Sequence, residues 1–281
     1  MCGNASINLS GAIRAGDIGG DLTLVTEADQ TISDAITLNG SGAALSITAE
    51  KGAIWTVQVA FTTNAGAITL SAEDDAIFSA AGDLTSTKGN ISVSADDDAT
   101  SDAASGGALT MVDGAVFNAG SGTVTVSADE NITIGQITTT NSSSSAIQLS
   151  SVSGNIVDGD TDGSNDLTAS NGTVYVADAE LFGLSTNAIE VSASATNTSG
   201  VTAVVVTSTA DTTLGGSGET IGDASVGQTV SIASGIDKSV SKTILSPSGT
   251  TSKTVTSSIS INTGEATPRQ IVVDLFLKTS N

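Results

Sequence analysis

The chain has 281 residues, of which 38% are hydrophobic, 14% charged and only 2% aromatic, with a formal net charge of -22 from 30 acidic and 8 basic side chains. With no histidine and one cysteine, Cys2, it excludes Ser-His-Asp and Cys-His catalysis, histidine-ligated metals, CxxC zinc sites and an intrachain disulfide. The charge repels phosphate backbones and anionic headgroups, which argues against nucleic acid and acidic membranes as partners, and no apolar run approaches the roughly 20 residues of a transmembrane segment.

At the start, Cys2-Gly3-Asn4 directly after Met1 has the small and polar residues that follow a lipidated cysteine. A lipid anchor through Cys2 is one expectation; an incidental cysteine is the other. From residue 20 the chain repeats. Leu22, Leu45, Ile68 and Ile91 are each 23 residues apart, as are Leu24, Ile47, Leu70 and Val93, and Thr26, Ala49, Ala72 and Ala95. Gly20, Ala43, Gly66 and Gly89 precede these runs, and Glu27, Glu50, Glu73 and Asp96 follow them. Within a unit such as GAITLSAEDD, apolar and small polar residues alternate with period two, the pattern of a strand with one buried face. Returning the same side chain after a fixed contour lets equivalent strands stack in parallel about 4.8 Å apart and bury continuous files. This predicts an all-β chain folded as a parallel β-helix, with Ile77-Phe78 and Leu84 supplying the second and third strands of the coil that begins at Ile68.

Past residue 95 the spacing loosens. Ile91 to Val124 is 33 residues, Val124 to Ile147 is 23, Ile147 to Val174 is 27 and Val174 to Ile189 is 15, so insertions and a short or differently wound coil are expected. The extra residues, ATSDAASGG at 99–107 and DGDTDGSND at 158–166, have loop composition. Eight or nine coils from residue 7 to about 210 would make a rod of about 40 Å.

The succession GAITLSAEDDAIF, GNISVSADDDA, GALTMVDGAVFNAGSGTVTVSADENITIGQITT, SSVSGNIVDGD and NGTVYVADAELFG resembles the strand-repeat region of very large bacterial surface proteins of the filamentous-haemagglutinin-like type, over about residues 20–195. The resemblance implies a right-handed parallel β-helix on an exported adhesin or fibre, without catalytic residues to carry over.

From residue 227 the repeat is lost, which divides the chain into an acidic β-helix, 1–226, and a β-rich segment, 227–281. Residues 1–229 hold 27 of the 30 acidic but 3 of the 8 basic side chains. QTVSIAS, KSVSKTILS, KTVTSSISI and RQIVVDLFLK read as strands of an antiparallel or sandwich-like unit. In the last, Ile271, Val273, Leu275 and Leu277 share one face and Phe276 adds bulk to the other. Such a strand either caps the open end of the helix or inserts into the next subunit, joining copies head to tail.

The metal-ligating candidates are Asp158, Asp160, Asp162 and Asp166. Carboxylates at alternate positions around a glycine turn place hard oxygens on one side of a loop, which suits Ca2+. The DxDxDG core begins like an EF-hand loop, but position twelve is Ala169 instead of Glu. GGSGETIGD at 215–223 is a weaker near miss to a calcium-binding nonapeptide, with Thr220 where Asp is required. The acidic column Glu27, Glu50, Glu73, Asp96, flanked by Asp74, Asp75, Asp97 and Asp98, is either screened by solvent and salt or bridged by cations. The outward Thr23, Ser46, Thr69 and Ser92 form a hydroxyl ladder ordinary for solvated sheet.

These observations favour a non-enzymatic, exported structural protein: an adhesin module or self-assembling fibre subunit, extracellular or at the cell surface. Its expected partners are its own copies and a glycan or cell-surface ligand. Ca2+ is the one cofactor expected. The alternatives are a β-helix carbohydrate-active enzyme, a polysaccharide lyase or hydrolase using pairs such as Asp74-Asp75, and a calcium- or glycan-binding module. Arg14, Lys51 and Lys88 are the only basic groups before the C-terminal segment, and no histidine completes a hydrolase site.

Overall fold

A computed structural model of the protein describes residues 20–26, 29–50, 55–96, 107–162, 164–179, 181–183, 187 and 189–193, and the backbone of seven later strands between 204 and 272. The described residues form strands and turns with no helix, and hence no helix long and apolar enough to cross a membrane. The strands come in threes. The first coil contains Leu22–Thr26, Gln30–Ile32 and Ile36–Leu38, and the pattern recurs through the seventh, Val174–Asp178, Leu181–Phe182 and Ile189–Ala193. Each strand pairs in parallel with its equivalent one coil later, so the chain is a parallel β-helix with three faces.

On the first face the register is the one that the 23-residue spacing requires: Leu22 pairs with Leu45, Leu45 with Ile68, Ile68 with Ile91, and Ile91 with Val124 across the longer fourth coil. The file continues through Ile147 to Val174. At the inter-strand spacing these six steps span roughly 30 Å. A second file runs through Leu24, Ile47, Leu70, Val93, Val126, Leu149 and Val176. From the second coil onward both files are buried, because alternation with period two sends every other side chain inward on all coils alike.

The rings fill the second and third faces. Phe61, Phe78, Phe117 and Phe182 are fully buried, and Phe78 meets Phe117 edge-on with centroids 4.8 Å apart. Phe117→Ala is expected to cost about 3–5 kcal/mol, part of it the lost ring pair. Urea melts of the two single mutants and the double mutant with Phe78→Ala would show non-additivity; strict additivity would mean that the rings act independently.

The outward positions of the first face carry no charge from Thr23 and Val25 through Gln148 and Ser150. Among the described residues most charge lies at the corners, where it also serves the fold. At all three corners side-chain oxygens accept an amide of the next coil: Asp21 from Ala44, Asp75 from Ala108, Asp83 from Val116, Asn90 from Thr123 and Asn131 from Asn155. Inside the corner between the third and first faces, buried hydroxyls do similar work, Ser86 donating to Gly66 O at 2.9 Å and Thr139 to Gly122 O at 2.5 Å.

Two expectations change. Ile189 does not follow Val174 in its file after 15 residues; Val174 pairs with Val204, and Ile189 opens the third-face strand whose Val191 pairs with Leu167. A coil must also cross the second face, and Leu181–Phe182 does so, with Phe182 paired to Ile156. In the C-terminal part, Thr229–Ile232 and Lys238–Lys242 still pair in parallel with Asp211–Gly215 and Thr220–Gly222. Antiparallel pairing begins with Ser257–Ile261, against Lys238–Lys242, and Arg269–Val272, against Thr229–Ile232.

Candidate functional site

At the corner between the second and third faces of the sixth coil, carboxylates are buried where the other coils bury apolar or neutral polar side chains. One file of the second face runs through Ile32, Val57, Phe78 and Met111, and Ile134 of the next coil pairs with Asp158. Asp158 thus occupies an inward position at the end of Ile156–Asp158, and it is 8% exposed. After it the chain makes the 159–165 excursion and returns at Asp166, 1% exposed, immediately before Leu167–Ala169.

The excursion folds on its own carboxylates. Asp158 Oδ1 accepts the Asp160 N–H, Asp160 Oδ1 the Asp162 N–H, and Asp162 Oδ1 the Ser164 N–H, at 2.8, 2.9 and 2.6 Å. Aspartate at alternate positions caps the amide two residues on and turns the loop step by step. Carboxylate oxygens of Asp158, Asp160 and Asp166 come within 4.8 Å of one another. Asp162, the fourth residue expected from the sequence, is exposed and stays outside that group. Its oxygen is turned to Ser164, which also holds its pKa below the usual carboxylate value.

The seventh coil closes the site with two residues that the sequence did not single out. The Glu190 N–H donates to Asp166 Oδ2 at 2.7 Å and the Asp166 N–H donates back to Glu190 O at 2.9 Å. The Asn187 amide donates to the main-chain carbonyls of Asp158 and Asp160. The available signal was distance along the chain: Glu190 lies 24 residues after Asp166, one coil length away.

Burial pushes the Asp158 carboxyl up to about 6, with the Asp160 and Glu190 charges adding to it against the Asp160 N–H and the Asn187 amide. Burial likewise raises Asp166 far above the carboxylate range, assisted by the charges of Asp158 and Glu190, and Glu190 is raised by burial too. Acidic groups gathered in low dielectric with no cation among them hold protons or attract a metal. The donors suit a hard cation: three aspartates from one loop and Glu190 at its rim approach the set of six to eight oxygens that Ca2+ takes.

The other acidic candidates are arranged differently. Glu50, Glu73, Asp96 and Asp129 do stack along the corner between the first and second faces, their N–H groups donating to Thr26, Ala49, Ala72 and Ala95 of the coil before. Glu27, Asp97 and Asp98 lie outside the described residues. Among the described residues this column forms no group of three converging carboxylates. Burial, followed by the neighbouring Asp75 charge, raises Asp74. Of the nonapeptide near miss, Thr220–Gly222 is a strand whose Ile221 pairs with Val204. Of the assembly residues, Ile271 pairs with Val230 of its own chain, while Val273, Leu275, Phe276 and Leu277 lie outside the described residues, as does Cys2.

In comparisons with protein-family models, curated proteins and solved structures, no match to this chain was found.

Proposed function

We propose that the chain is a structural protein of the extracellular space or cell surface, a stiff acidic rod serving as an adhesin module or fibre subunit. The observation that carries this reading is the stacking of the first face's aliphatic files through seven coils, with uncharged outward positions on that face from the first coil to the sixth. Such a body resists bending because each coil is hydrogen-bonded to both neighbours, and its net charge of -22 keeps separate rods in solution. The resemblance to filamentous-haemagglutinin-like surface proteins supports the same reading. The in-chain pairing of Arg269–Val272 supports a cap more than a strand given to another subunit.

Electron microscopy of the pure protein over a range of concentrations tests this. Short rods, or rods joined end to end, are expected; irregular particles would overturn the reading, and release of reducing or unsaturated sugar ends from polysaccharides would replace it with the enzymatic one. Deleting residues 268–281 separates the two uses of the C-terminal strand: a cap predicts loss of stability and aggregation, whereas strand exchange predicts loss of filaments alone.

A second function is favoured by the burial of Asp158 and Asp166. Ca2+ held by Asp158, Asp160 and Asp166, with Glu190 beside them, would neutralise charge inside the rod and tie the sixth coil to the seventh. Its test is the calcium dependence of stability developed in the Discussion.

A further inference from the structure

We infer that Asn39-Gly40 is a site of spontaneous deamidation, and that the fold withholds the same reaction from Asn171-Gly172. These are the two Asn-Gly pairs of the chain, and both sit at the corner between the third and first faces, five coils apart. In the reaction the glycine amide nitrogen bonds to the asparagine Cγ while the Cγ–Nδ2 bond breaks, and the Nδ2 group leaves as ammonia with the proton lost by the glycine nitrogen. Water then adds to either carbonyl of the resulting succinimide, giving aspartate or isoaspartate. Glycine favours the attack because it has no Cβ in the way and its backbone turns freely.

The two pairs differ in what must break first. Asn39 is exposed, and its side chain makes no hydrogen bond to the described residues; only its carbonyl is engaged, by the Asn64 amide at 3.2 Å. The Gly40 N–H, the nucleophile, donates to none of the described residues, although the Gly40 carbonyl accepts from Ala43 at 3.1 Å. At the other pair both reacting groups are tied: the Asn171 Nδ2 donates to Thr140 O at 3.1 Å and the Gly172 N–H to Ala169 O at 3.3 Å. Gly172 is also buried, against Ala146 and the Asn141 carbonyl. Two hydrogen bonds that must open before attack slow Asn171 by roughly ten- to a hundredfold relative to Asn39. The product carries a new negative charge, and as isoaspartate an extra main-chain carbon, between the buried Leu38 and Leu45 of successive coils. Deamidated molecules should therefore melt first.

The experiment is incubation of the full chain in mildly alkaline buffer, followed by peptide mapping that separates asparagine, aspartate and isoaspartate at both positions. A parallel sample unfolded in guanidinium gives the intrinsic rates. The expected result is fast conversion at Asn39 and slow conversion at Asn171 in the folded protein, with the two rates converging when unfolded, and suppression of the first by Gly40→Ala. Equal rates in the folded protein, a faster Asn171, or no conversion at Asn39 while the unfolded chain reacts there would overturn the inference.

Discussion

Gly89→Ala is expected to destabilise the rod by about 3 kcal/mol or more, although it adds a single methyl group to a chain rich in alanine. A Cβ at Gly89 would collide with the Gly66 carbonyl and lie 2.7 Å from the Ala67 nitrogen, all of it main chain of the preceding coil. Backbone held in parallel pairing on both sides cannot turn aside as a side chain can, so the coils must separate locally. Gly66 meets Ala43 and Gly122 meets Gly89 in the same way. Gly42 provides the control. It has φ +78 and nothing within 4 Å of its missing Cβ, so alanine there bears only the left-handed backbone strain, about 1–2 kcal/mol. Urea melts of both variants decide the matter. If Gly89→Ala loses no more than Gly42→Ala, close stacking at this corner does not limit stability.

Calcium is expected to stabilise the protein by about 2.7 kcal/mol at a hundredfold excess over its dissociation constant, through Asp158, Asp160 and Asp166. The sign of the pH dependence follows from the raised carboxyls. A folded-state pKa above the unfolded value means that the fold binds the proton more tightly. The metal-free protein therefore has its full stability from this site below about pH 4, the ordinary aspartate value. It loses that stability as pH rises through about 6 for Asp158 and about 9 for Asp166, with Glu190, also raised by burial, contributing in the same direction. Calcium reverses the trend, because it needs the carboxylates ionised and competes with their protons, so its stabilising effect grows over the same interval. Asp158→Leu restores the apolar file of Val57, Phe78, Met111 and Ile134; it should raise the melting temperature of the metal-free protein and abolish the response to calcium. A calcium-insensitive melting curve in the wild type, together with an Asp158→Leu variant less stable than its parent without metal, would exclude a cation site here.

The first face was legible to the residue. Its files rest on one local rule, alternation with period two, and one long-range rule, a 23-residue return, and both are written in side-chain type at Leu22, Leu45, Ile68 and Ile91. Past Val174 the same logic failed. Ile189 has the chemistry of a first-face residue, but a step of 15 residues leaves no strand to cross the second face. Apolar character alone does not say on which of three equivalent faces a strand lies. For the acidic site, the loop composition at 158–166 identified the three aspartates that converge, but it put Asp162 on equal terms with them. Capping of Ser164 turned Asp162 outward, a choice made by loop conformation.

By itself the sequence determined that the chain winds into a parallel β-helix, where its aliphatic files run and where its acidic turns fall, because a fixed repeat of alternating side chains leaves no other way to bury them together. Only the tertiary structure decided that Asp158 enters an apolar file, that Asp166 is sealed beneath the next coil, and that Glu190 and Asn187 complete their surroundings. These pairings join residues one coil apart through backbone hydrogen bonds, and the contour of an inserted loop, which no repeat constrains, sets which side chains meet.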